Sequence, residues 1–413
     1  MWQGRSKKTL ATGLVVMLVT AQALLVPPAL AVAGGTIQQV SQTLASQSQS
    51  CTAGNGQPIP GIPWPGLATD LSRSWNLSRG GSVTVALLDT GVDTSGVPEL
   101  AGQVTTVANV DSETAPGNQD CVGHGTFDAA LIAGKQAQET GFSGVAPDAR
   151  ILSVAVTDSQ GDLSPDTIAA GIRAAVGAGA RIIVCGVASP IDSAGLDNAV
   201  EQALAAGALV VAPATLDGQT RSGPVYPAEA PGVLSVGDVG QDGTPTTGNT
   251  ITGAHVDLVA PGDDITSAGL DGSAFAAAGA SYATAFVAGA AALVVAYRGP
   301  SRPADLVRRL EATALHPGKS MPDPIVGYGV IDPEAAMTAV LPTYDAVPVM
   351  RQSRTVPLTV PPAPQHPGRS MAMMVAAIAL GILVIAGFGL LAARARHGKP
   401  RSRVGVDAGD AGA

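Results

Sequence analysis

The stretch Val85-Ala-Leu-Leu-Asp89-Thr-Gly91 runs from an apolar segment straight into an acid and a glycine turn. Residues 83–88 are apolar and β-branched apart from small interruptions, which predicts a strand buried on both faces of a parallel sheet. Asp89 then falls at the carboxyl end of that strand, where open α/β sheets carry their chemistry. Farther along, Gly123-His124-Gly125-Thr126 sets an imidazole between glycines, ahead of a helical pattern over 127–134. Gly279-Ala-Ser281-Tyr-Ala283 leads into the small, apolar run 283–295. That run reads as a helix, so Ser281 lies at a helix N-terminus, where free amides stabilise an oxyanion. An acid, a base and a nucleophile thus arrive in the chain order Asp, His, Ser, one of the orders in which such triads are built.

The segments between them alternate. Strand patterns over 83–88, 151–156, 181–184, 208–211 and 233–236 are interleaved with helical patterns over 127–134, 166–177, 195–206 and 282–297. This predicts an α/β fold, a parallel sheet with helices on both faces. Closing helices follow over 302–313, with Pro303 at the start where a missing amide does no harm, and over 333–339.

Each motif has a plainer meaning on its own. Asp-Thr-Gly is a common turn, and it is also half of an aspartic-protease site, which needs a second such loop because two carboxylates share a proton. The sequence has no second Asp-Thr-Gly or Asp-Ser-Gly. Gly-Ala-Ser before a helix is ordinarily just an N-cap. The joint occurrence, in order, is what carries the reading.

Connecting segments add to it. Gly144-Val-Ala-Pro147-Asp-Ala-Arg150-Ile-Leu-Ser-Val154, Tyr226-Pro-Ala, Val233-Leu-Ser-Val-Gly237 and Val256-Asp-Leu-Val-Ala-Pro261-Gly262 resemble those of the subtilisin-like serine proteases. More narrowly, Phe142-Ser-Gly-Val-Ala-Pro147, Gly327-Tyr-Gly-Val-Ile-Asp332-Pro333 and Leu341-Pro342, with a Pro-rich linker and an apolar tail beyond, resemble the mycosins, membrane-anchored subtilases of type VII secretion systems. The resemblance spans residues 50–395. It implies that Asp89 orients, His124 acts as general base and acid, and Ser281 attacks the carbonyl of a protein or peptide substrate. It also implies a type VII secretion membrane complex as partner.

Departures from the family pattern bear on activity. Subtilases usually supply an Asn amide to the oxyanion hole after an Ala-Gly-Asn run; the matching run here, Val210-Val-Ala-Pro-Ala214-Thr215, offers Thr215 as the oxyanion-hole candidate. Losing one such donor costs on the order of 10²–10³ in turnover, a magnitude known from subtilisin itself. The family's Gly-Thr-Ser-x-Ala-x-Pro becomes Gly279-Ala-Ser281-Tyr-Ala283-Thr-Ala285, and its substrate-pairing Ser-Leu-Gly strand becomes Gly186-Val187-Ala188, where a side chain at Ala188 crowds the groove. Two functions follow: an exported serine endopeptidase, or a catalytically weak scaffold subunit of the same secretion complex.

The termini place the chain. Arg5, Lys7 and Lys8 followed by the apolar run 9–26 and the small residues Ala29-Leu-Ala31 and Ala31-Val-Ala33 read as a secretory signal peptide over 1–33. An N-terminal extension over 34–80 and a peptidase domain over 81–341 follow. Residues 342–370 form a Pro-rich linker, extended rather than packed. The uncharged run 371–393 exceeds the roughly 20 residues a spanning helix needs. It predicts a C-terminal transmembrane helix that ties the chain to a lipid bilayer. Arg394, Arg396, Lys399, Arg401 and Arg403 come directly after it, which puts the tail 394–413 in the cytoplasm and the peptidase domain outside the cell membrane. With a net charge of -9 overall and these cations in the tail, the exterior part is acidic, which excludes nucleic acid as a partner.

There are 3 cysteines. Cys51 and Cys121 lie in polar, loop-like sequence and form the pair an oxidising exterior would join, stapling the extension beside His124. Cys185, within Ile182-Ile-Val-Cys185, reads as a buried free thiol in a strand. The 5 histidines lack zinc-like spacing, His255 and His316 reading as surface or strand-edge residues. No metal and no cofactor is expected.

Overall fold

The computed structural model describes residues 37–40, 51–59, 61–110, 119–137, 141–158, 161–218, 223–246, 255–316, 318 and 321–342. The predicted signal peptide, most of the linker, the apolar run 371–393 and the basic tail lie outside these residues.

The main sheet contains β2 (Thr84–Asp89), β3 (Val104–Asn109), β4 (Arg150–Ala155), β5 (Ile182–Cys185), β6 (Leu209–Pro213), β7 (Leu234–Val239) and β8 (Leu258–Pro261). Its spatial order is β3-β4-β2-β5-β6-β7-β8, and every neighbouring pair is parallel. A small second sheet joins β1 (Gln38–Gln39), β10 (Ala274–Ala277) and β9 (Ile265–Ala268). The expected strands agree with the observed ones to within three residues at each end, the largest difference being at β7, which runs on to Val239. Strands β3 and β8, Val-Thr-Thr-Val-Ala-Asn and Leu-Val-Ala-Pro, are polar-interrupted or short and so carry no clear strand pattern, and the strands of the small sheet, of two to four residues, carry none either.

Both faces are covered. Within β2, Val85 and Leu87 join the core on one face, and Ala86 and Leu88 join the core on the other. That alternation into two apolar layers is why the strand reads as a continuous apolar run. One layer holds α3 (His124–Ala133) and α6 (Ala280–Arg298); the other holds α4 (Pro165–Gly177) and α5 (Ala194–Ala205). Four further helices are α1 (Trp64–Ala68), α2 (Leu71–Trp75), α7 (Pro303–Thr313) and α8 (Pro333–Thr338), the last three adding side chains to the first of these layers.

Helix α6 explains the alanine-rich composition after the nucleophile motif. Every residue from Ala280 to Val294 is buried, so the helix has no solvent stripe and needs no amphipathic pattern. Its small side chains allow close approach: a methyl group added at Gly289 would come within 2.6 Å of Val145 Cβ. Among the described residues it is the one helix long and apolar enough to cross a membrane, but 83% of that window is buried inside the domain, which makes it a core helix.

Candidate active site

Asp89 is the last residue of β2, and β4 and β5 pair with the strand on either side, so the carboxylate is held at the sheet's carboxyl edge by two rigid neighbours. Its Oδ1 accepts from the Thr90 amide at 2.7 Å and meets His124 Nδ1 at 2.8 Å. Small residues make this possible. A Cβ on Gly125 would come within 3.0 Å of Asp89 Cβ, and one on Gly186, the residue after β5, would collide with Asp89 Oδ2.

His124 opens α3 rather than preceding it, and Gly123, with φ of 90°, turns the chain into the helix. The carboxylate of Asp120 fixes that turn. Its Oδ1 accepts from Thr90 Oγ1 at 2.8 Å, the Val122 amide at 3.1 Å and the Gly123 amide at 2.7 Å. Its Oδ2 accepts from the Thr126 amide at 2.8 Å and Thr126 Oγ1 at 2.7 Å. Asp120 thus satisfies the Thr126 amide of the first helical turn and two amides of the turn before it, while Thr90 Oγ1 accepts from the Gly125 amide at 3.0 Å. Cys121, inside this turn, is disulfide-bonded to Cys51.

Ser281 sits in the first turn of α6, and its Oγ lies 3.0 Å from His124 Nε2. Asp89, His124 and Ser281 therefore form one hydrogen-bonded chain with both imidazole nitrogens engaged. The Tyr282 ring lies 4.9 Å from the imidazole and meets Phe127 edge-on at 5.0 Å, which packs the histidine ring in place.

A second carboxylate reaches the nucleophile. Asp217, past the end of β6, accepts from Ser281 Oγ, its Oδ1 lies 3.4 Å from the Ser281 amide, and its Oδ2 lies 3.8 Å from His124 Nε2. It packs against Gly279, where any side chain would collide with it. Thr215, the expected oxyanion donor, lies just past the end of β6. Its Oγ1 is buried without a hydrogen-bond partner among the described residues, and Asp217 is the side chain that meets Ser281. β6 finishes at Pro213, so Thr215 and Asp217 both belong to the segment that leaves the strand's carboxyl end.

The site is crowded with acids. Burial pulls the His124 imidazole down, but the charge of Asp89 and hydrogen bonds to Asp217 and Asp89 outweigh it, and the group is held well above the ordinary histidine range. Asp128, one turn beyond His124 in α3, is fully buried with neither carboxyl oxygen hydrogen-bonded among the described residues. Burial raises it well above the carboxylate range, His124 opposes this, and Asp89 and Asp217 add to it. Donor atoms of Asp89, His124 and Asp128 lie within 4.8 Å of one another. Both ring nitrogens of His124 are already committed to Asp89 and Ser281, so this cluster is arranged for proton transfer rather than for holding an ion.

The remaining expected residues fall as follows. Gly186, Val187 and Ala188 are buried, Gly186 donating its amide to Leu88 O at 3.0 Å and backing Asp89 and Asp128, and Val187 and Ala188 joining the core layer of α4 and α5. Cys185 is free and buried, and burial together with the Asp89 charge pushes its thiol up to about 12. His255 Nε2 pairs with Asp257 at 2.7 Å beside the entry to β8, away from the triad. Sequence reasoning missed Asp120, Asp128 and Asp217. Only Asp217 left a usable signal, as the first ionisable residue after β6 and the start of an Asp-Gly turn.

Comparison with known proteins agrees with this geometry. The sequence model described as the Subtilase family matches residues 80–329. Mycosin-1 of Mycobacterium tuberculosis is 32% identical, over 87% of this chain and 91% of its own length. Thermitase of Thermoactinomyces vulgaris is 35% identical over 54% of this chain and 78% of its own. Among solved structures, MycP1 from Mycobacterium smegmatis superposes with a TM-score of 0.64 at 29% identity, covering 76% of this chain and 97% of that one. A chain of an intact ESX-5 inner membrane complex gives 0.64 at 26% identity, covering 85% and 95%.

Proposed function

The chain belongs to the subtilase family, and from that premise we propose that Asp89, His124 and Ser281 are the working triad of an extracytoplasmic, membrane-anchored serine endopeptidase that acts in type VII protein secretion. The observation that carries the reading is the unbroken relay from Asp89 Oδ1 to His124 Nδ1 at 2.8 Å and from His124 Nε2 to Ser281 Oγ at 3.0 Å. In that role neutral His124 takes the Ser281 proton as Oγ attacks the substrate carbonyl, and later gives it to the leaving amine. Asp89 holds the ring in the tautomer with the proton on Nδ1 and stabilises the imidazolium that forms. The Ser281 amide, at the N-terminal turn of α6, donates to the oxyanion.

The secretion role rests on the relatives. One solved relative is described as a serine protease that is an essential component of a type VII (ESX-1) secretion system, and another chain comes from the ESX-5 inner membrane complex. The organisation proposed with it is a signal peptide over 1–33, an extension over 34–80 stapled by the Cys51–Cys121 disulfide, the peptidase domain over 81–341, a linker over 342–370, a membrane helix over 371–393 and a cytoplasmic tail over 394–413.

One observation favours the second reading, a catalytically weak scaffold in the same complex: a carboxylate, not an amide, faces the Ser281 hydroxyl and amide. Labelling the full-length protein in membranes with a fluorophosphonate decides between them. The endopeptidase reading expects an adduct mapped to Ser281 and lost in Ser281→Ala. No adduct at any pH leaves the scaffold.

A further inference from the structure

Three groups compete for the protons around the nucleophile. Ser281 Oγ touches both Asp217 and His124, and His124 Nδ1 is tied to Asp89. A serine hydroxyl has one proton to give, so it can donate to Asp217 or to His124 Nε2, but not to both. With the same number of protons the cluster has two arrangements. In the first, Asp217 is a carboxylate and accepts the Ser281 proton, while His124 is an imidazolium that donates from Nε2 to Ser281 Oγ. The serine proton then points away from the base and the base is already protonated, so Oγ is no nucleophile. In the second, Asp217 is a carboxylic acid, His124 is neutral, and Ser281 donates to Nε2 as attack requires.

We propose that Asp217 is a catalytic residue that works only in its acid form, as the side-chain donor to the oxyanion beside the Ser281 amide, so that a proton shared along Asp217, Ser281 and His124 switches the enzyme between a closed and a competent state. The inference rests on the reading of Ser281 as nucleophile. Geometry supports it: the carboxyl faces the Ser281 hydroxyl and the Ser281 amide together, which is where charge develops when Oγ attacks. Gly279 leaves the space the carboxyl fills. The acylation step balances without other reagents. Ser281 Oγ bonds to the carbonyl carbon, its proton passes to His124 Nε2, and the carbonyl π pair becomes the oxyanion held by the Asp217 O–H and the Ser281 N–H. The oxyanion collapses, the amine leaves with the proton from Nε2, and Asp217 keeps its own.

The surroundings bias the resting arrangement toward the closed state. The groups that face this cluster are His124 and Asp128 from α3, Asp120 from the turn before it, Ser281 and Tyr282 from α6, and Asp89 on the far side of the imidazole. His124 is the one ion-pair partner of Asp217 among the described residues. Asp89 and Asp217 both raise the imidazole, so the shared proton rests on His124 and the competent tautomer is the minor one. Activity then requires the shared proton. It falls at high pH as that proton leaves the pair, and at low pH as a second one arrives.

The test is the rate of Ser281 phosphonylation by a fluorophosphonate across pH, on the full-length protein and on Asp217→Asn. The native protein is expected to give a bell, with an alkaline fall. Asp217→Asn supplies a permanent donor and removes the charge that raises His124. Its rate is expected to rise with pH to a plateau with no alkaline fall, about 10²–10³-fold above native on that plateau. Asp217→Ala, with neither charge nor donor, is expected to lose the alkaline fall but stay well below Asp217→Asn. A native profile that already plateaus, or an alkaline fall that survives in Asp217→Asn, overturns the proposal. The His124 ring-proton resonance gives a readout independent of labelling, and its titration is expected to move to lower pH in Asp217→Asn. If that shift occurs while neither protein labels, the nucleophile reading fails and the proton sharing stands; if the titration does not move, the sharing itself is refuted.

Discussion

Replacing Asp120 with alanine is the sharpest test of how the catalytic histidine is held. The acid is buried and accepts five hydrogen bonds, from Thr90 Oγ1, the Val122, Gly123 and Thr126 amides and Thr126 Oγ1. Alanine leaves three backbone amides without an acceptor in a buried turn. Each orphaned donor costs about 1–3 kcal/mol, so with local relaxation the variant loses about 3–5 kcal/mol of folding stability. That is a large part of the roughly 5–15 kcal/mol a domain possesses. Asp120→Asn keeps Oδ1 for Thr90, Val122 and Gly123 and turns an amide toward Thr126, so it forfeits chiefly the Thr126 N–H bond, about 1–2 kcal/mol. Urea unfolding measures both. Ser281 labelling follows the consequence, because His124 is the first residue beyond the turn and a displacement near 1 Å costs about 10²-fold. An alanine variant within about 1 kcal/mol of native, no more than an average point substitution costs, or an asparagine as damaging as alanine, refutes the account of the turn.

Other outcomes follow from the same geometry. Asp128→Asn is expected to raise stability near neutral pH and to flatten its pH dependence. Burial keeps the native acid protonated above the unfolded value, so the folded state binds a proton the unfolded chain releases, and stability falls as pH rises from the ordinary carboxylate range toward the raised folded value. Urea midpoints from pH 5 to 8 that decline equally in native and variant, on a scale set by the ordinary carboxylate value of about 3.9, would count against this. Gly186→Ala drives a methyl group into Asp89 Oδ2 and is expected to cut the labelling rate about 10²-fold with the fold retained by circular dichroism; an unchanged rate removes Gly186 from the site's support. Cys51 and Cys121 are separated by 70 residues, so the paired serine variant is expected to lose up to about 4 kcal/mol through loop entropy, read as a lowered urea midpoint. No loss after both substitutions would show that the bridge constrains nothing.

Much of the molecule was legible in its sequence because the signals are local. The run 83–88 is apolar but for Thr84 because β2 is buried on both faces, Gly125 is needed where backbone meets Asp89, and Gly123 is needed for the φ of 90° that turns the chain into α3. The run after Ser281 has no charge and, Tyr282 and Thr284 apart, no polar side chain because α6 is a core helix. Helix starts were read two or three residues late at His124 and Ser281, since propensity registers the body of a helix and not the turn that precedes it. The edge strand β3 and the short β8 carry too little pattern to be read alone.

Sequence by itself determined the chemistry on offer: an acid, a base and a nucleophile, each at the end of an element able to hold it, in the order a subtilase uses. Only the tertiary structure decided which other groups stand around them. Asp120 and Asp128 are unremarkable in the chain and Asp217 is marked only by its Asp-Gly turn, yet folding buries the first two beside His124 or the turn that leads to it and brings the half-buried third against Ser281. The difference is physical. Strand and helix patterns are written in neighbouring residues, whereas the approach of Asp217 to Ser281 depends on how far β6 runs before the chain turns, a length fixed by packing against α6 and not by the residues 217 and 281 themselves.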